Sequence, residues 1–412
     1  STTFRLSLEN QKIAGIVPKD KSDRTGIRFA ASKEYKRLTA SFTANYTQAK
    51  YDRTSADFYN DVLNQPANLP LYDLRDWQNN KFANPNGYYN DYYNNPYFNK
   101  DINRNNYKDA NISSNIAFEF RATDWLRLVN RLGVMNNSRT GKNYTSKFLY
   151  SDWAKTKAFV PAPWGIDDVD GTGIYRAISD ILGGVSDYSS TENVINNEFQ
   201  AHVNKDFGDF KNNLILGGSL YQRYTKAIAI SSSSIVVPDV YNVSNRQGIL
   251  GGGEGNTMER RYGYYADISS NYKNWLILNA SARYDATSRF YKPARNKNYW
   301  SYLYYGAGLS FIPTDAFPGL KSNVLNFAKV RMNYNKNAND NIPLYGLDLT
   351  YPNGSGFPFG NTVGLTVGNT LPDANLKPEI VYSGEIGAEF QMFNNRVNLE
   401  FSAYSQTSKG QV

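Results

Sequence analysis

The sequence predicts an all-β chain: antiparallel strands that run up and down and wrap into a transmembrane β-barrel with long extracellular loops. Three observations predict it. Apolar and polar residues alternate with a period of two over many segments. Aromatic residues make up 15% of the 412 residues, with 33 Tyr, 22 Phe and 6 Trp. Tyr and Phe suit pleated, half-buried surfaces, and Tyr and Trp suit boundaries with one apolar and one wet side. Finally, the connections between the alternating segments are short and long by turns.

The clearest strand runs from Leu38 to Tyr46. Leu38, Ala40, Phe42, Ala44 and Tyr46 point one way, and Thr39, Ser41, Thr43 and Asn45 the other. A helix would scatter this set around its circumference. Phe4, Leu6 and Leu8 repeat the pattern, as do Ile27, Phe29 and Ala31, and Ile112, Ile116, Phe118 and Phe120. Further strands are expected at Trp125–Asn136, Asn193–Asn204, Asn213–Tyr224, Arg261–Tyr272, Trp275–Phe290, Trp300–Ile312, Phe327–Tyr334, Tyr382–Phe393 and Arg396–Ser405. That makes about thirteen, most near the ~10 residues of a tilted membrane strand.

Short turns are expected at Lys33–Lys36, Ala122–Asp124, Lys205–Lys211, Lys273–Asn274 and Asn394–Asn395. Long excursions are expected at Tyr51–Asp109, Asn137–Glu192, Thr225–Arg260 and Asn335–Val381, with one longer turn-side connection at Pro313–Asn326. In a meander every second connection falls on the same edge, so long loops gather at one end, as in outer-membrane barrels. Alternation alone fits a soluble sandwich as well, because a second sheet covers an apolar face as lipid does. Strand length and loop asymmetry favour the membrane. Bacterial single-chain barrels have even strand numbers, so an odd count implies an interior piece of a longer chain. Gln406–Gln411 reads as a polar stretch after the last strand, and Gly251–Gly255 as a flexible loop tip.

Composition excludes much else. There is no cysteine, hence no disulfide scaffold, thiolate metal site or thiol nucleophile. The single histidine, His202, leaves no His cluster or obvious triad, and on the polar parity of its strand it reads as structural. No apolar run approaches the ~18 residues of a spanning helix. Mean hydropathy is -0.58. The net charge of +8 is spread without a basic cluster, which argues against nucleic acid and fits anionic lipopolysaccharide or acidic substrates. Length alone suggests two or three domains, whereas the unbroken strand pattern makes residues 1–412 part of one barrel domain.

Several segments carry a family resemblance. "RYGYYADISSNYKNWLILNASARYDATSRF" (Arg261–Phe290), "LPDANLKPE" (Leu371–Glu379) and "MFNNRVNLEFSAYSQT" (Met392–Thr407) resemble barrel stretches of SusC/RagA-type TonB-dependent transporters of Bacteroidota outer membranes. "NQKIAGIVP", "NNPYF" and "TDWLRLVNRLGV" fit the same family in the same order. Pro378 stands where the family usually has Trp, and Tyr284, Ala286 and Thr287 where it has Arg, Gly and Ser. The resemblance implies TonB-powered import of oligosaccharides or peptides, without enzymatic chemistry or cofactor. It implies a SusD-like lipoprotein partner over the loops and a dimer of such pairs. The plug domain, TonB box and terminal strands of the family do not appear, so TonB would act through a part outside this chain. A non-transporting barrel subunit of a larger outer-membrane or secretion assembly is the alternative. A soluble glycosidase would need a placed carboxylate pair, which the sequence does not show.

The site candidates follow. Arg283, Asp285 and Arg289 are expected to face the lumen, since charge on the lipid face at mid-depth costs ~2–4 kcal/mol. Trp77, Tyr88, Tyr89, Tyr92 and Tyr93 in one loop, and Trp153 and Trp164 in the next, are the candidate contacts for substrate or a partner lipoprotein; the alternative is that these aromatics pack the loops upon themselves or join the interfacial girdle. Aromatic faces stack on sugars or peptide side chains, and the many Asn amides both donate and accept hydrogen bonds. Asp167, Asp168 and Asp170 hint at calcium oxygens but lack the rest of a calcium loop, so no metal is expected.

Overall fold

The computed structural model describes residues 1–88, 94–157, 159–160, 174–175, 179–357, 359–369, 371–373 and 375–411. Thirteen strands form one antiparallel sheet in which each pairs with its neighbours in sequence. They are β1 (Thr2–Ala14), β2 (Lys21–Tyr35), β3 (Leu38–Thr54), β4 (Asn103–Arg121), β5 (Leu126–Thr145), β6 (Gly184–Phe207), β7 (Phe210–Ser233), β8 (Gly251–Tyr272), β9 (Leu276–Thr287), β10 (Ser301–Phe311), β11 (Leu325–Asn339), β12 (Glu379–Met392) and β13 (Val397–Lys409). None of the few helices among the described residues is long and apolar enough to cross a membrane.

The connections sort by end. Residues 36–37, 122–125, 208–209, 273–275, 312–324 and 393–396 turn at one edge of the sheet. Residues 15–20, 55–102, 146–183, 234–250, 288–300 and 340–378 lie at the other. Tight reversal requires left-handed backbone, which Asn and Gly adopt most readily. Asn274, Asn394, Asn395 and Gly208 supply it, with φ of 66°, 53°, 64° and 58°.

Register places the large apolar residues on one face. Phe42, Ile116 and Leu132 are successive cross-strand partners on β3, β4 and β5. Nothing among the described residues covers this face: Phe4 is 80% exposed, Tyr264 65% and Phe118 48%. So large an apolar surface needs a cover, and strand length and loop asymmetry make that cover lipid. Aromatic rings mark its short-turn end. Phe210 and Tyr272 lie 4.6 Å apart, Tyr272 and Trp275 5.1 Å, and Trp275 and Phe311 5.7 Å. Such a girdle belongs at a membrane–water boundary.

Several strands differ from expectation. β6 and β7 run on at the long-loop end, well beyond Asn193–Asn204 and Asn213–Tyr224. Above the lipid both faces are wet, so the backbone ladder continues after the alternation that reveals it has vanished. Gly251–Gly255, expected as a loop tip, opens β8 and pairs with Ala227–Ser231 of β7. A Cβ on Gly252 would come within 2.8 Å of the Ala229 carbonyl oxygen, so this pairing suits a residue without a side chain. The polar stretch after Ser405 stays in β13 as far as Lys409. β9 stops at Thr287, and Ser288–Phe290 form a 3₁₀ turn whose first amide satisfaction comes from the Thr287 hydroxyl, which accepts from the Arg289 N–H.

Candidate functional site

Among the described residues, conventional hydrophobic packing concentrates in the loops above the wall. In loop 55–102, helix α1 (Phe58–Leu63) is capped by Asp57, whose carboxylate accepts from the Asn60 N–H. Helix α2 (Pro96–Ile102) begins with Pro96, tolerated where the N–H has no helical partner. Its cap is Asn95, fully buried. The Asn95 amide donates to the Leu74 and Ala83 carbonyls at 2.8 Å each, and its oxygen accepts from the Tyr97 N–H at 2.9 Å. One side chain thus ties three turns of the loop. Phe98, also fully buried, packs edge-on to Trp77 and Phe148 at 5.0 and 4.9 Å. Phe148 belongs to loop 146–183, so the two loops share this core.

Ion pairs fasten the loops to the wall. Arg104 at the start of β4 holds Asp20 at 2.9 Å and Asp52 at 2.6 Å, joining the β1–β2 turn to the end of β3. Asp101 accepts from Trp77 Nε1 at 3.0 Å and pairs with Lys19 at 3.0 Å and with Lys100. Burial pushes the Asp101 carboxyl up, but hydrogen bonds from Lys100, Trp77 and Lys19 outweigh it and hold the group below its ordinary value. Asp61 goes the other way: burial raises it, with a hydrogen bond from Asn99 only partly offsetting this.

The expected ligand contacts therefore divide. Trp77 is engaged in the loop core, and the Tyr88 hydroxyl bonds to Gln65. Tyr89, Tyr92, Tyr93, Trp164 and the Asp167–Asp170 run lie outside the described residues. Trp153, on helix α3 (Asp152–Lys157), is 58% exposed and lines a cleft of about 530 Å³ with Gln78, Asn79, Lys81, Phe82 and Asn84. The Asn86 side chain, accepting from the Ser151 N–H at 2.7 Å, holds the two loops together beside it. This cleft presents two aromatic faces, several amides and one ammonium, groups that can stack on and hydrogen-bond a polar ligand. Phe82 and the amides from Gln78 to Asn84 were legible only as an Asn-rich run beside Trp77.

On the polar face of the wall, Arg283 Nε donates to Asp285 at 2.8 Å and its Nη2 to Ser219 at 2.8 Å, while the Tyr304 hydroxyl donates to the same carboxylate. Asp285 overlies Gly263, where an added Cβ would collide with its Oδ1 at 1.8 Å, so any side chain there would push the carboxylate out of this arrangement. Arg289, turned off the ladder, pairs with Glu259 at 2.8 Å and donates to the Ile342 carbonyl. Glu259 is buried and also holds Arg223 at 3.0 Å and Arg261 at 2.7 Å, and Arg261 reaches Asp340 at 3.4 Å. This clamp connects β7, β8 and the 288–300 loop to the start of loop 340–378. Only Arg289 was singled out from sequence; Arg223 and Asp340 lie far along the chain from Glu259 and Arg261, whose equal parity on β8 is the one local signal. Farther along, Arg331 binds Glu385, Glu389 and Glu400 at 3.3, 2.9 and 2.9 Å. His202 rests between Arg127 at 3.3 Å and Gln200 at 2.8 Å. Among the described residues no group of three or more His, Cys, Asp or Glu side chains converges on a metal position.

Solved structures share this architecture. The RagAB peptide transporter superposes with a TM-score of 0.70 at 16% identity over 99% of this chain, and its open-open state with 0.69 at 17% identity. The ferric-catecholate import receptor Fiu of E. coli, in its closed form, gives 0.54 at 12% identity over 98% of this chain. The chain spans 43% of the RagAB component it matches and 54% of Fiu. No curated protein sequence matches it. The fold expected from the resemblance, a TonB-dependent outer-membrane barrel, is thus the fold observed. From residue 40 to residue 412 the chain matches the TonB dependent receptor-like, beta-barrel family, and it belongs to that family.

Proposed function

We propose that this chain forms the wall and external loops of a TonB-dependent importer for oligomeric nutrients, peptides or oligosaccharides. The observation that carries the reading is the exposed aromatic and amide cleft at Trp153, held in folded loops above a wall whose polar face bears paired ions. In this reading the polar face, with Arg283 and Asp285, lines the lumen, and Arg289 anchors a loop at its mouth. The ions are mutually neutralised, so the lumen is wet without trapping cargo of one sign. A SusD-like lipoprotein would cover the loops, two such pairs would associate, and TonB would act through a plug supplied by the rest of the protein. The wall performs no covalent step; it positions cargo and closes the membrane around it.

The test is uptake of labelled oligopeptides and oligosaccharides by cells carrying the full-length protein. Uptake should stop when the proton-motive force is collapsed, and Trp153→Ala should weaken ligand binding roughly ten-fold, the cost of truncating an aromatic anchor. Full-length protein with no uptake and no lipoprotein partner would favour the barrel-subunit alternative.

A further inference from the structure

The apolar face of the wall is grooved between β6 and β8. Phe199, Ala201, Leu216, Gly218, Leu220 and Tyr264 border a hollow of about 540 Å³. A second hollow of about 340 Å³, bordered by Ile195, Leu220, Gln222, Arg260 and Tyr262, shares Leu220 with it. The register orders them. Tyr264 faces Gly218, Tyr262 faces Leu220 and Arg260 faces Gln222, each step moving toward the long loops. The missing side chain at Gly218 makes the lower hollow, and the upper one ends at a cation.

Arg260 is exposed, and its guanidinium meets the Gln222 side chain, Nε donating to Oε1 at 3.0 Å. Among the described residues it has no ion pair. Lys226, two steps higher on the same face of β7, is paired with Glu254 at 3.5 Å. At ~3.3 Å per residue and ~40° tilt, the rise from the girdle residue Phe210 to Gln222 is ~30 Å, one hydrocarbon thickness. Arg260 therefore stands at the headgroup level of the external leaflet, where an unpaired guanidinium meets phosphate in bidentate geometry.

We propose that this groove is a binding site for an anionic, phosphate-bearing lipid of the external leaflet, the class to which lipopolysaccharide belongs. An acyl chain lies over Gly218 between Phe199 and Tyr264, and the phosphate sits on Arg260, oriented by the Gln222 amide. The inference rests on the membrane reading of the wall and is independent of what the protein transports.

Native mass spectrometry of the full-length protein, extracted from outer membranes in mild detergent, tests it. The wild type should retain a phosphorylated lipid. Arg260→Gln should lower retention about ten-fold, the loss of one charge-assisted contact. Gly218→Leu should do the same by filling the groove, since a Cβ there meets the Tyr264 ring at an ordinary 3.5 Å. Both variants should keep the heat-dependent gel migration of a folded barrel. A membrane-inserted wild type that retains no phosphorylated lipid, or variants that retain as much as wild type, overturns the lipid site alone. Recovery of the protein without detergent overturns the membrane reading beneath it.

Discussion

The wall and the loops above it are stabilised in opposite ways. In the wall, every strand meets its neighbours through a backbone ladder, and the large side chains point away from the protein. In the loops, short helices and turns surround Phe98 and Asn95, both fully buried, as in a small water-soluble domain. The same residue type thus takes opposite places: Phe118 stands out from the sheet while Phe98 is sealed within the canopy. The difference teaches that an apolar residue seeks whatever lies away from water, and that lipid serves on one side of this molecule as protein does on the other.

The contrast can be broken by substitution. Phe98→Ala should cost the canopy ~3–5 kcal/mol, the cost of emptying an aromatic site. Limited proteolysis should then cut within 55–102 while the barrel keeps its gel migration. Loss of both together would show that wall and canopy fold as one unit. Ile116→Arg should cost ~2–4 kcal/mol in urea titrations within lipid vesicles, against under ~1 kcal/mol for Thr43→Arg at similar depth on the opposite face. Equal costs would contradict the assignment of faces. The smallest effect is that of acid on the canopy. Asp61 titrates above the ordinary carboxylate value of 3.8, so acidification toward that value relieves a burial penalty and slightly steadies the loops. Asp101 titrates below 3.8, so its contribution is present above that value and is lost as pH falls through its own lower one. Proteolytic protection of 55–102 should therefore rise a little on mild acidification and drop only in stronger acid, with Asp101→Asn removing the drop.

The sequence showed the wall wherever one face meets lipid, because there the side-chain period is forced. It missed the upper parts of β6, β7 and β8, where both faces are polar, and took the opening glycines of β8 for a loop. Arg283 and Asp285 were legible as neighbours of equal parity two residues apart. Arg289 shares that parity, but the 3₁₀ turn at Ser288–Phe290 swings it to Glu259 instead. The canopy was opaque for a different reason. Asn95 reaches Leu74 and Ala83, and Phe98 meets Phe148, contacts that no local period encodes. Trp77 therefore read equally as a ligand contact or as loop packing, and its contacts with Phe98 and Asp101 commit it to the loop core.

The extra length of β6 and β7 has a consequence for access. Both turn at 208–209 beside the exposed rings of Phe207 and Phe210, so their surplus projects to the opposite side. A strand of 24 residues at ~3.3 Å per residue and ~40° tilt rises ~60 Å, about twice the hydrocarbon slab. The upper rim of the wall there stands as a palisade clear of the bilayer surface, so that on the import reading proposed above a bulky solute would meet protein before any headgroup.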